Sequence, residues 1–107
     1  MKCYMMTWHG FYKGGNFLTG SVNRQTILDL LDKLPLIILT WRASMGAIFL
    51  VSNQEVATIT QEITKGLPNL MFVVSQIDIE TTNGMAEKET WDFIRNAPFM
   101  VRKTQPT

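Results

Sequence analysis

The residues whose types could do chemistry lie mostly near the start of this 107-residue chain. His9, the only histidine, closes an apolar run and stands beside Gly10. A lone imidazole at the end of a strand could serve as a general base or as one ligand of a metal ion. No second histidine exists to share an ion, and the nearest acidic residue in sequence is Asp29. An exposed or hydrogen-bonded structural histidine accounts for the same position. Asp78 and Glu80, two residues apart after another apolar run, would point the same way if a strand continued through them. Two carboxylates so placed could hold a divalent cation; a strand running out into solvent carries the same residues. If the chain binds a metal at all, His9, Asp78 and Glu80 are the ligands to expect.

Between Trp8 and Ser21 the residue types suggest binding. Trp8, Phe11, Tyr12 and Phe17 make the stretch aromatic, with Lys13 and Asn16 among them. Aromatic side chains with a basic neighbour can stack bases, so Trp8, Tyr12, Lys13 and Asn16 are candidate binding residues; a loop folding its aromatics onto the domain needs them too. Gly15-Asn16-Phe17-Leu18-Thr19-Gly20-Ser21 has the glycine spacing of a phosphate-binding loop. It lacks the lysine before Ser21 that would reach the outer phosphates. Cys3 is the only cysteine, which rules out an internal disulfide and a cysteine metal cluster. Inside an apolar run it reads as a small buried hydrophobe.

Ten basic against nine acidic residues, a net charge of +1, give no electrostatic reason to coat nucleic acid or an anionic membrane. The length fits one domain, and 46% hydrophobic residues can build a core without staples. Met1-Lys2 runs straight into a strand-like segment rather than a basic-then-apolar leader. The apolar stretches fall short of the ~18 residues a membrane helix needs, so a cytoplasmic location is expected.

The elements that would position these residues follow from periodicity. Lys2–Trp8 is an unbroken apolar run that predicts a first strand ending at His9-Gly10, with an irregular loop to Ser21. Ile27, Leu30, Leu31 and Leu34 form one helical stripe, with Asn23 as N-cap and Pro35 closing the segment. Leu36–Asn53 predicts a hairpin about Ala43–Gly46, and its nearly continuous apolar runs suggest two strands in mid-sheet. Ser52-Asn53-Gln54-Glu55 matches a capping box ahead of a second helix with Val56, Ile59 and Ile63 on its buried face, stopped by Gly66 and Pro68. Leu70–Ile79 predicts the last strand, Thr81–Gly84 a turn, and Ala86–Arg95 a short third helix carrying Trp91 and Ile94.

The order β-α-β-β-α-β is that of an α+β ferredoxin-like domain over residues 1–101, a four-stranded antiparallel sheet with two helices on one face. A short C-terminal helix and a polar tail at 102–107 follow. The second sheet face would then carry large apolar side chains, and a covering C-terminal segment or a second copy of the chain is expected on it.

Lys2–Trp8, followed by Lys13-Gly14-Gly15-Asn16-Phe17, resembles the opening of small proteins related to the CRISPR-associated spacer-acquisition nuclease. Ile48–Asn53 and Ala86–Ile94 are similar to further stretches of that group. The resemblance implies a ferredoxin-like homodimer, some relatives of which cleave RNA or DNA with a divalent metal. Their key aspartate ends the first strand, where this chain has His9. The expectation is thus a non-catalytic dimeric binding protein, without cofactor, acting on nucleic acid or a protein partner. A metal-dependent endonuclease using His9, and a dimeric small-ligand module using the glycine-rich stretch, are the alternatives.

Overall fold

The computed structural model describes residues 1–13, 16–18, 23–41, 47–78, 80–84 and 88–96. The expected links at 14–15, 19–22 and 42–46, and the polar tail, lie outside the described residues.

The first strand is longer than its glycine suggests. β1 spans Lys2–Lys13, β2 Asn16–Leu18, α1 Arg24–Lys33, β3 Leu39–Trp41, β4 Ala47–Ser52, α2 Val56–Gly66, β5 Leu70–Gln76 and α3 Lys88–Asn96. Tyr4 pairs with both Leu50 and Gln76, and Phe11 with both Leu18 and Leu70. β4 and β2 therefore share one edge of β1, and β5 takes the other. The principal strands run β3-β4-β1-β5, each neighbouring pair antiparallel. This is the ferredoxin-like order, and β2 is a hairpin arm at the far end of β1.

Alternation along β1 sorts the core into two layers. Tyr4 and Met6 point to the inner face with Ile48, Leu50 and Leu70, against Ile27, Leu28 and Leu31 of α1 and Ile59 and Ile63 of α2. Side chains of this size are worth roughly 1.5–3 kcal/mol each when fully buried, so this layer carries most of the fold's stability. Cys3, Val51 and Ile94 form a smaller buried cluster on the outer face, with Phe49, Trp91 and Phe93 packed against it.

Helix α1 starts as its sequence requires. The Asn23 side chain accepts a hydrogen bond from the Gln25 amide at 2.8 Å, and Leu28 joins Ile27 and Leu31 among the buried residues. Helix α2 ends at Gly66 as expected, the Leu67 amide closing onto the Ile63 carbonyl at 2.9 Å. Its start differs from the expected capping box. The N-cap is Glu55, with no side-chain cap bond. Ser52 is instead the buried last residue of β4: its hydroxyl donates to the Leu36 carbonyl at 2.7 Å and accepts from the Gln54 amide at 3.0 Å. The Glu55 carboxylate is drawn to Lys2, which lies opposite Ser52 in the sheet. Val56, expected on the buried face, is 38% exposed.

Two strand expectations are also corrected. β4 is central, but β3 is a three-residue edge strand of half-buried residues. The first strand does not stop at His9-Gly10. Gly10, at φ 137°, takes a conformation side chains disfavour and carries the strand on through a bulge.

Candidate functional site

The bulge decides where the candidate residues point. Trp8 pairs with Phe72 and Gly10 with Met71, so His9 is the extra residue, without a partner on β5. In a regular strand Trp8 and Phe11 would face opposite ways; the inserted residue lets both pack against the inner core. Trp8 is thereby partly buried against the inner core. His9 and Tyr12 remain exposed, Tyr12 at 49%. Lys13 and Asn16 are register partners where β1 turns into β2, and their side chains lie outside the described residues. Asn16–Leu18 forms strand β2, which corrects the expectation of an irregular loop here; the flanking glycines of the phosphate-loop pattern are not described.

Asp78 and Glu80 do not continue a strand. β5 ends at Gln76, and Asp78 starts a turn instead: its carboxylate accepts the Glu80 amide at 3.0 Å, and its carbonyl accepts the Thr81 amide at 3.1 Å and the Thr82 hydroxyl at 2.6 Å. That is an Asx-turn, the local bond aspartate offers where a strand runs out. Among the described residues no three His, Cys, Asp or Glu side chains lie close enough to share an ion.

Cys3 is buried as expected, and burial pushes its thiol up to about 11. Burial likewise raises Tyr4, whose hydroxyl donates to the Gln54 carbonyl at 2.7 Å. The hydrogen bond to Glu55 raises Lys2.

What sequence reasoning missed is the asymmetry of the outer sheet face. α3 covers its β3–β4 half and the Cys3 end of β1. The Trp41 indole donates to the Thr90 hydroxyl at 2.9 Å and stacks on Phe93 with ring centres 5.9 Å apart. Among the described residues, the rest of the β1–β5 half has no such cover. Met5 and Thr7 lie opposite Ser75 and Val73, and Met71 and Val73 are 45% and 54% exposed. The signal was present in the alternation of Met71, Val73 and Ser75 with Phe72 and Val74, but which face α3 would take was not. A groove of about 330 Å³ lies between the 82–84 segment and α3, where the Arg95 guanidinium sits 5.9 Å from the Trp91 ring centre. A second, of about 310 Å³, lies beside Cys3, Ile77 and Asp78. His9 lines neither.

No family model, curated protein or solved structure matches the chain. No helix among the described residues is long and apolar enough to cross a membrane.

Proposed function

We propose that the chain is a non-catalytic, homodimeric binding protein that offers the β1–β5 half of its outer sheet face to a protein partner. One observation carries the reading: Met71 and Val73 stay about half exposed on a sheet whose other half is covered by α3. Exposed apolar side chains gathered on one surface mark an interaction site more often than singly scattered ones.

A protein partner is favoured over nucleic acid by the net charge of only +1 and by the engagement of every cation whose side chain is described, except Arg24 and Lys33. Lys2 is held by Glu55, Lys65 by Glu62 and Lys88 by Asp92, while Arg95 lies over Trp91. Nucleic-acid binding draws on a face of free cations. The absence of catalysis is supported by the isolation of His9 on the bulge: among the described residues no three His, Cys, Asp or Glu side chains lie close enough to share an ion. Mg²⁺ needs hard oxygen ligands, which one imidazole does not supply.

The test has two arms. Sedimentation at micromolar concentration gives twice the 12.2 kDa chain mass, and the Met71→Glu/Val73→Glu variant sediments as a folded monomer. Incubation with single- and double-stranded RNA and DNA, with Mg²⁺ or Mn²⁺, gives no cleavage. A monomeric parent, or cleavage abolished by His9→Ala, overturns the proposal.

A further inference from the structure

The two edges of the sheet are built differently. β3 is three residues long and held under α3 by Trp41, a short and covered edge of the kind that resists pairing with other chains. β5 is seven residues, Leu-Met-Phe-Val-Val-Ser-Gln, hydrogen-bonded to β1 on one side. Among the described residues nothing pairs with its other side. It holds no Lys, Arg, Asp, Glu or Pro, and the bulge in the β1–β5 ladder sits on β1. None of the usual protections of an edge strand is present within it.

We propose that the free edge of β5 pairs with β5 of a second copy, antiparallel about a twofold axis at Val73, joining two sheets into one. The proposal rests on the homodimeric reading above and specifies where the copies meet. The strand is self-complementary in this register. Val73 faces the partner's Val73 and Met71 faces the partner's Ser75 on the outer side. On the inner side Phe72 faces the partner's Val74 and Leu70 the partner's Gln76. Alternation is kept, so outer residues meet outer residues. Only Val73 meets its own copy in this register, and because the strand carries no charge no like charges are set opposite one another, which would destabilise a sheet. Pairing also merges the half-exposed Met71 and Val73 of both copies into one apolar strip across the axis. The same strip is the surface proposed above for a protein partner.

Cysteine cross-linking tests the register. In this pairing the two Val73 Cα atoms are about 4.5–5.5 Å apart, within disulfide reach. The two Met71 positions are offset by four residues, about 13 Å along the strand, and out of reach. Cys3 is buried, so the parent serves as the unreactive control. Mild oxidation at micromolar concentration converts Val73→Cys to a covalent dimer at least tenfold faster than Met71→Cys. The Met71→Cys/Ser75→Cys variant also cross-links, an independent check should Val73→Cys perturb the centre of the strand. A parent that sediments as a dimer while neither Val73→Cys nor the double variant cross-links overturns the edge pairing and leaves the homodimer standing. Equal rates for Val73→Cys and Met71→Cys overturn the register, and a monomeric parent overturns both proposals.

Discussion

Ser52→Asp separates two accounts of how β4 passes into α2. If Ser52 capped the helix, aspartate would serve as well, since Asp and Ser are near-equal N-caps. In the structure Ser52 is fully buried at the end of β4, and its hydroxyl donates to the Leu36 carbonyl at 2.7 Å while accepting from the Gln54 amide at 3.0 Å. A carboxylate there brings a charge into a buried site and sets an acceptor against the Leu36 carbonyl oxygen. The expected cost is about 3 kcal/mol or more, as for an unpaired buried charge. Ser52→Ala removes both hydrogen bonds at about 1 kcal/mol each, or about 2 kcal/mol in all. For a domain of this size that lowers the thermal midpoint by about 8–16 °C. Circular dichroism melts of the parent and both variants decide the matter. A Ser52→Asp protein as stable as the parent would falsify the buried-strand assignment.

Two further outcomes follow from packing and ionisation. A Cβ at Gly66 would overlap the Leu30 side chain across the α1–α2 contact, so Gly66→Ala costs about 1 kcal/mol despite alanine's better helix propensity; in a Leu30→Ala background that cost disappears, and full additivity in urea melts would contradict it. Burial raises the Cys3 thiol from 9.0 to about 11 in the folded chain, so its contribution is intact below pH 9 and is lost as the unfolded chain ionises between these values. The loss reaches about 3 kcal/mol, and Cys3→Val flattens the alkaline fall of the denaturation midpoint; an unchanged fall refutes the assignment.

The parts of the fold legible in the sequence are those fixed by local periodicity. The Ile27–Leu31 stripe with its Asn23 cap, the Gly66 stop and the apolar runs of β4 and β5 state their own structure, and together they imply the ferredoxin-like order. The parts that were not legible depend on partners distant in sequence. Gly10 reads as a strand breaker, yet pairing with Met71 and Leu70 carries β1 through it. Ser52 and Glu55 have capping-box spacing, but Leu36 and Lys2 compete for their side chains and win. Asp78 and Glu80 would share a side only on a strand that ends at Gln76. The candidate site suffered most: the bulge turns Trp8 toward the core, partly burying it, and leaves His9 as the residue without a partner on β5. The exposure of Met71 and Val73 depends on which part of the outer face α3 covers, a choice no spacing within α3 records.

Amide hydrogen exchange along β5 tests the self-association account most directly. If the free edge of Leu70–Gln76 pairs with a second copy, the alternate amides turned away from β1 are protected at high protein concentration. They then lose that protection on dilution below the dimer's dissociation constant. The amides of β4, buried between β1 and β3, stay slow throughout. Exchange along β5 that is fast at every concentration, or slow at every concentration in a protein that sediments as a monomer, contradicts the account.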